Sequence, residues 1–188
     1  CATGPNGRLL KLDDAGQATE VLKAEQANLL CLAVNADSGE VFAGSEPAGL
    51  VYQVQPDGKA TVLYDTDETE VHALLLSAQG VLYAATAQAE GAAAPQPQQQ
   101  EQQPQQATPP QAPASASDGS GDMLAGKPGG ANSIYRIVPG EGAVRLAQCQ
   151  GALVLCLAQP AEGSILAGTG VEGRLIGVEG FPHDIGAV

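Results

Sequence analysis

The stretch LLCLAVNADSGEVFAGSEPAGLVYQVQPDGKATVLYDT, residues 29–66, contains four short apolar runs separated by turn-forming residues. The first run is LLCLAV at 29–34, and ADSGE separates it from VFAGS at 41–45. LVYQVQ is a β-branched, aromatic-containing run, and the turn sequence PDGK separates it from ATVLYDT. Runs this short favour strands over helices, and the short turns favour antiparallel pairing. The stretch therefore predicts an antiparallel meander of four strands.

The same pattern recurs along the chain in a constant register. Copies of the first strand share one position, which holds Cys31, Ala73 and Cys156. Copies of the fourth strand begin 13 residues before each of these, at Ala18, Ala60 and Ala143. The end of the second strand is marked by ATG at 2, AGS at 43, AAT at 84 and AGTG at 167. Repeats of about 42 residues built from four strands are typical of β-propeller blades.

One spacing in this register is longer than the other. Cys31 and Ala73 are 42 residues apart, whereas Ala73 and Cys156 are 83 residues apart. The extra residues lie at 87–132, where runs such as QPQQQEQQPQQ hold almost nothing apolar larger than alanine. Such a composition cannot offset the entropy lost on ordering. We therefore expect a disordered Gln/Pro-rich insertion between the second and third strands of one blade.

The predicted fold is all-β, a β-propeller segment of about 3.5 to 4 four-stranded antiparallel blades. Its parts are the end of a first blade at 1–28, a second blade at 29–68, a third blade at 69–150 with the insertion at 87–132, and an incomplete fourth blade at 151–188. Closed propellers usually have about four to eight blades, so we expect a piece of a longer protein. A start at Cys1 rather than Met agrees with this, although a lipoprotein cleaved before an acylated cysteine would also begin so.

Charge and composition narrow the classes of partner. A net charge of −13 with 3% aromatic residues argues against nucleic acid, which is bound by clustered Lys and Arg, and favours basic or cationic partners. No apolar run approaches the roughly 20 residues of a membrane span. The compartment stays open, with a periplasmic or secreted location favoured over the cytoplasm.

The four cysteines do not form a metal or disulfide pattern. The chain has no CxxC and no Cys/His cluster, so no zinc site and no cofactor are expected. Cys31 and Cys156 share a position with Ala73, and Cys1 falls where three alanines stand in the other repeats. We therefore expect these three cysteines to be small, buried apolar residues. Only Cys149 lies in a connecting segment.

The repeated unit also carries a family resemblance. ATG-PNG-RLLKL, AGS-EPAG-LVYQV and AGTGVEG-RLIGV, with turns such as PDGK, resemble bacterial β-propeller proteins of the WD40-like, NHL-like and two-component-regulator-propeller group. The resemblance covers essentially all of the chain outside the insertion, although the WD dipeptide and GH pair of true WD40 repeats do not occur. It implies scaffolding, sensing or ligand recognition more often than catalysis. It also implies that the first strand of each blade lines a central channel.

That arrangement would place His72 at the start of a channel-lining strand, where the other blades have Leu30 and Leu155. An imidazole at an otherwise apolar position can indicate ligand contact, because it forms hydrogen bonds and binds metals. The predicted ligand-binding residues are His72, Glu70, Asp67 and Glu172. The alternative is a histidine packed between blades, with a ring nitrogen bound to a backbone carbonyl or a carboxylate.

Other chemistry has weaker support in the sequence. The carboxylates of the same face could hold a divalent cation, but no EF-hand spacing accompanies them: Glu46, Asp67, Glu68, Glu70 and Glu172. GTGVEG lacks the last glycine of a dinucleotide motif, and no GxSxG is present. No catalytic residue and no metal site are therefore predicted.

The leading hypothesis is a non-enzymatic β-propeller recognition or scaffold module for a protein, peptide or glycan partner. Open blade edges are expected to contact remaining blades of the same protein or to self-associate. The alternative is a propeller enzyme, such as a metal-dependent lactonase, lyase or hydrolase, with its site at the channel mouth.

Overall fold

The computed structural model describes residues 1–88, 132–170 and 173–179. All regular secondary structure in these residues is β, which confirms the predicted all-β class. The described residues contain no helix long and apolar enough to cross a membrane. The strands are β1 (Arg8–Leu12), β2 (Ala18–Lys23), β3 (Asn28–Val34), β4 (Val41–Glu46), β5 (Leu50–Val54), β6 (Ala60–Asp65), β7 (Glu70–Leu76), β8 (Leu82–Ala87), β9 (Ser133–Val138), β10 (Gly142–Gln148), β11 (Val154–Ala161), β12 (Ser164–Thr169) and β13 (Leu175–Glu179).

These strands form antiparallel sheets, numbered here in chain order. Sheet 1 contains β1 and β2, sheet 2 has the order β3-β4-β5-β6, and sheet 3 has the order β7-β8-β9-β10. Sheet 4 has the order β11-β12-β13 within the described residues. The predicted four-stranded meander is therefore confirmed for sheets 2 and 3, because each connects neighbouring strands in sequence order.

The ends of the predicted insertion are described, but its interior is not. Ala87 is the last residue of β8, so the second strand of sheet 3 extends one residue into the predicted insertion. Asn132 directly precedes β9. The expected disorder concerns residues 89–131, which lie outside the described part of the chain. The expected lack of a fourth strand after β13 falls on residues 180–188, which lie outside it as well.

The first strands of sheets 2, 3 and 4 share an irregularity at the same position. The pairing of β3 with β4 skips Leu30, that of β7 with β8 skips His72, and that of β11 with β12 skips Leu155. Positions 30, 72 and 155 are 42 and 83 residues apart, the spacings of the sequence repeat. A β-bulge of this kind bends the strand locally and redirects its side chains.

A hydroxyl at the end of each second strand ties it to the start of the third. Thr3 Oγ1 accepts a hydrogen bond from the Arg8 backbone N–H (3.1 Å), and Ser45 Oγ accepts one from Leu50 N–H (3.0 Å). Thr169 Oγ1 accepts the equivalent bond from Arg174 N–H (3.0 Å). These three pairs are each five residues apart, whereas the equivalent pair in sheet 3, Thr86 and Ser133, lies on the two sides of the predicted insertion.

These contacts correct one part of the sequence alignment. Ala2 pairs with Leu9, whereas Gly44 pairs with Val51, and both residues of the second pair lie 42 positions further on. Ala2 is therefore equivalent to Gly44, and the prediction that ATG at 2 aligns with AGS at 43 is wrong by one residue. This register agrees with the predicted placement of Cys1 at the position of the three alanines in the other repeats.

Successive sheets pack face to face through apolar side chains. We call the face toward the next sheet in the chain the front and the opposite face the back. Leu9 of sheet 1 lies in one cluster with Tyr52 and Val54 of sheet 2. The front of sheet 2 and the back of sheet 3 share a cluster with Phe42, Val51, Val71, Leu82, Tyr135 and Ile137. The front of sheet 3 and the back of sheet 4 share one with Ala73, Ala85, Ile134, Val154 and Ala167.

The contact between sheets 2 and 3 includes a thiol and a missing side chain. Cys31 Sγ donates a hydrogen bond to the backbone carbonyl of Val71 (3.2 Å), and burial raises the pKa of this thiol to about 12. A Cβ at Gly44 would lie 2.6 Å from both Cys31 Sγ and Val71 Cγ1. Gly44 therefore gives the Val71 side chain its room in the interface.

The prediction that Cys1, Cys31 and Cys156 are buried is tested by their exposure in the structure. Cys31 is half-buried, but Cys156 and Cys1 are exposed, so the expectation that they are buried is wrong. Cys156 faces the front of sheet 4, as Cys31 faces the front of sheet 2, but Val71 of the next sheet covers only Cys31. Burial at this position thus depends on the neighbouring sheet. Cys149, in the segment between β10 and β11, is buried.

Deleting residues 90–130 is expected to leave the melting temperature nearly unchanged. Thr86 and Ser133 are paired across β8 and β9, and the deletion leaves residues 87–89, 131 and 132 to join them. Four residues join the equivalent pair Ser45 and Leu50, so the shortened loop has enough length. Loop closure entropy changes by only about 0.6 kcal/mol per doubling of length. Thermal unfolding followed by circular dichroism tests this, and a large loss of melting temperature would contradict it.

Candidate functional site

The candidate site is built on the bulge at the start of β7. Val71 lies in the cluster between sheets 2 and 3, whereas Ala73 lies in the cluster between sheets 3 and 4. Residues two apart in a regular strand would share one face, so the bulge at His72 reverses the alternation. Of the three residues 71–73, only His72 belongs to neither of these two clusters.

His72 contacts a carboxylate of its own strand. His72 Nε2 and Glu70 Oε2 are 2.6 Å apart, a distance at which the imidazole N–H donates to the carboxylate. The two side chains are 24% and 17% exposed, so each keeps an accessible edge. The contact matches the structural alternative for His72, in which a carboxylate satisfies one ring nitrogen. It also orients the imidazole, because the carboxylate holds one ring edge in a fixed direction.

Two exposed leucines occupy the equivalent bulges of the neighbouring strands. β7 contacts β3 on one side and β11 on the other, so the first strands of sheets 2, 3 and 4 are adjacent. Leu30 of β3 and Leu155 of β11 are both exposed. The starts of three adjacent strands therefore present an apolar residue, a polar His–Glu pair and a second apolar residue.

A second carboxylate lies at the same end of sheet 2. Asn28 begins β3 at the position that Glu70 occupies in β7, and its Nδ2 donates a hydrogen bond to Glu46 Oε2 (3.0 Å). Glu46 ends β4, which is paired with β3. Because the amide rather than a cation holds this carboxylate, the end of sheet 2 retains a negative charge. The ends of sheets 2 and 3 both carry carboxylates beside the exposed leucine positions.

The other predicted ligand-binding residues are placed differently. The Asp67 side chain is 79% exposed, and its Oδ2 lies 3.6 Å from Nη1 of Arg145, in the fourth strand of sheet 3. An exposed ion pair of this kind adds little to stability. Glu172 lies outside the described residues. The structure therefore brings together His72 and Glu70, and it places Asp67 beside Arg145.

Glu68 has a structural position that the sequence did not indicate. Its side chain is buried, Oε1 accepts a hydrogen bond from Ser133 Oγ (2.6 Å) and Oε2 accepts one from Tyr135 OH (2.9 Å). Burial, the hydrogen bond to Glu68 and the charges of Glu68 and Asp67 raise the pKa of Tyr135 to about 12. Glu68 thus ties the segment before β7 to the first residues of β9, and both of its carboxylate oxygens accept hydrogen bonds within the protein.

The described residues were also compared with two other kinds of site, a metal centre and an enclosed ligand cavity. Among residues 1–88, 132–170 and 173–179, no three side chains of His, Cys, Asp or Glu are grouped so that they could hold a metal ion. A cavity of about 80 Å³ lies between the turn after β7 and the turn after β11, lined in part by Ser77, Tyr83, Arg136 and Gln159. This is well below the roughly 300–1,000 Å³ that is typical of small-molecule pockets.

Comparison with protein-family models finds no match to this chain, and comparison with curated protein sequences finds none either. The class defined by the structure is therefore an all-β chain of antiparallel sheets, and its functional assignment depends on the geometry of the site.

Proposed function

We propose that the four sheets are successive blades of a β-propeller and that the chain is a non-enzymatic recognition module. Support for the architecture comes from the sheets themselves, which repeat with one register and pack front to back in chain order. Radial repetition of such sheets is the architecture of propellers. In that arrangement the adjacent first strands β3, β7 and β11 line the central channel.

The binding surface that we propose consists of Leu30, His72, Glu70 and Leu155. The observation that carries this proposal is the shared bulge, in which Leu30, His72 and Leu155 lie near the starts of three adjacent strands. Exposed leucines supply apolar contact, and the oriented His–Glu pair supplies hydrogen bonds and negative charge. An apolar surface with a few convergent polar groups is typical of a ligand site.

The partner that fits this surface is a peptide segment with an apolar side chain next to Lys or Arg. Glu46 at the end of β4 and Glu70 at the start of β7 supply carboxylates at the edge of this surface, and the whole chain has a net charge of −13. Opposite charges speed up encounter and exclude partners of the same sign. The leucines would contact the apolar side chain of the peptide, and the Glu70 carboxylate would pair with its cation.

Replacing His72 or Leu30 by alanine is expected to weaken peptide binding about tenfold each, since interface contacts of this size are worth roughly 1–2 kcal/mol. The probe is a set of short peptides that each contain adjacent Leu and Arg, with binding measured by fluorescence anisotropy. A matched set with Glu in place of Arg should bind at least about tenfold more weakly, because the carboxylates would repel it. Added salt should weaken only the binding of the Arg set.

Val62→Ala is the matched control for this measurement. Val62 is an exposed apolar residue on β6, the fourth strand of sheet 2, far along the sheet from β3. Its replacement should leave the dissociation constant unchanged. The proposal would fail if no peptide bound, or if His72→Ala, Leu30→Ala and Val62→Ala all had the same effect.

A further inference from the structure

The fronts of the first three sheets each bury one equivalent side chain. The pairs that define this position are Leu9 with Ala2, Val51 with Gly44, and Ile134 with Ala85. The larger residue of each pair is buried, with an exposed fraction of 3% for Leu9 and 0% for Val51 and Ile134. Each of the three lies in the cluster that joins its own sheet to the next one. This position therefore takes part in each of the three front-to-back contacts in the described chain.

Leu175 holds the same position on the front of sheet 4. It pairs with Gly168 as Val51 pairs with Gly44, but it is 70% exposed. Cys156 and Gly168 are paired on this front as Cys31 and Gly44 are on the front of sheet 2. The front of sheet 4 thus has the same residue pattern as the front of sheet 2. The front of sheet 2 is covered by sheet 3, whereas Leu175 and Cys156 on the front of sheet 4 are exposed.

The back of sheet 1 shows the complementary pattern. Val54 of sheet 2 and Ile137 of sheet 3 pair with Ala60 and Ala143, and each is 1% exposed because it packs against the preceding sheet. Leu12 of sheet 1 pairs with Ala18 in the same way, but it is 54% exposed. The position that is buried on the backs of sheets 2 and 3 is therefore exposed on the back of sheet 1.

We propose that the front of sheet 4 binds the back of sheet 1 of a second copy of this chain. Among the described residues, three contacts between sheets each join a front to a back, and these two faces are a front and a back of the same type. Leu175 and Leu12 would then be buried as Ile134 and Val54 are. Such an interface uses different surfaces on the two copies, so it is heterologous and can add further copies until a ring closes.

Self-association of the purified chain tests this, measured by sedimentation velocity over a range of concentrations. The unmodified chain should form dimers and larger species as concentration rises. Leu12→Glu and Leu175→Glu should each raise the dissociation constant at least about tenfold, because each variant loses the burial of one leucine and places an unpaired carboxylate in the interface. Both residues are exposed, so both variants should keep the circular dichroism spectrum of the unmodified chain.

Mixing the two variants gives the decisive result. Leu12→Glu leaves the front of sheet 4 intact, and Leu175→Glu leaves the back of sheet 1 intact. The mixture should therefore form a dimer of one copy of each that does not grow further, although each variant alone stays monomeric. Val62→Glu changes a residue of similar exposure (51%) on β6 and should associate like the unmodified chain.

Four outcomes would overturn the proposal. A chain that stays monomeric at all concentrations would show that the occupant of these faces is not a second copy. Loss of association in only one of the two variants would show that like faces meet, as in an isologous dimer, and two variants that stay monomeric when mixed would show that these two faces do not bind each other. Equal loss of association in Val62→Glu would show that association is not confined to these faces.

Discussion

Gly49→Ala is expected to lower the free energy of unfolding by about 3 kcal/mol. Gly49 has φ of +61°, and an L-residue with a side chain loses roughly 1–2 kcal/mol in this conformation. A Cβ at this position would also collide with the backbone carbonyl of Glu68 and would lie 2.6 Å from Thr66 Oγ1. The Thr66 hydroxyl shares its one proton between the carbonyls of Gly49 and Glu68, so the collision would separate groups that hold the loop before β5 against the segment before β7.

Gly173→Ala is the matched control for this variant. Gly173 also has φ of +61° and occupies the same place before the third strand of sheet 4, but no described atom lies within 4 Å of a Cβ there. This variant should lose only the conformational contribution, about 1 kcal/mol. Urea unfolding of both variants measures the difference. Equal losses would show that the contact with Glu68 adds nothing and that backbone conformation alone explains the glycine.

The order and pairing of the strands were predictable because their causes are local. Short apolar runs and turn sequences such as PDGK determine where each strand begins and ends, and the constant length between repeats fixes the register. The prediction was weakest where two positions both tolerate small residues. Ala2 and Gly44 are such positions, and their pairing with Leu9 and Val51 shows that they are equivalent.

The environment of individual side chains was less predictable because it depends on a neighbouring sheet. Cys31 and Cys156 have the same place in the sequence repeat, but one is covered by Val71 and the other is exposed. Similarly, Asp67 and Glu68 are adjacent acidic residues in DTDET, and only Glu68 is buried. Its partners Ser133 and Tyr135 follow the insertion, more than 60 residues away, so no local pattern could indicate the contact.

The candidate site was predictable in part. His72 was singled out because it replaces a leucine of the other repeats, and the structure places it in the bulge that Leu30 and Leu155 share. The bulge itself has no sequence signal, since LLCLAV reads as a regular strand. The roles of Leu30 and Leu155 as exposed neighbours of His72 therefore became visible only in the structure.

Glu68→Ala is expected to lower the free energy of unfolding by about 3 kcal/mol. The substitution would leave the buried hydroxyls of Ser133 and Tyr135 without their acceptor, and each unsatisfied buried donor costs roughly 1–3 kcal/mol. Loss of the buried carboxylate offsets part of this cost, because a buried charge is itself unfavourable. Glu68→Gln should lose less, about 1 kcal/mol, since the amide keeps one acceptor and either hydroxyl can accept a hydrogen bond from its NH₂ group.

The ionisation of Tyr135 gives a second measurement that a general loss of packing would not reproduce. Its pKa is about 12 against an ordinary value of 10.0, and the bond to Glu68 is one of the causes after burial. Removal of that carboxylate should lower the pKa in both variants, measured by the ultraviolet absorbance of tyrosinate.

The same shift predicts how stability depends on pH. A tyrosine with a raised pKa in the folded state stabilises the fold fully below pH 10, where it is protonated in both states. This contribution is lost as pH rises from 10 to about 12, because the unfolded chain releases the proton first. In Glu68→Gln the loss should span a narrower pH range. An unchanged Tyr135 pKa in this variant would mean that burial alone raises it. If Glu68→Ala lowered the free energy of unfolding no more than Glu68→Gln does, the carboxylate would not be the acceptor for both hydroxyls.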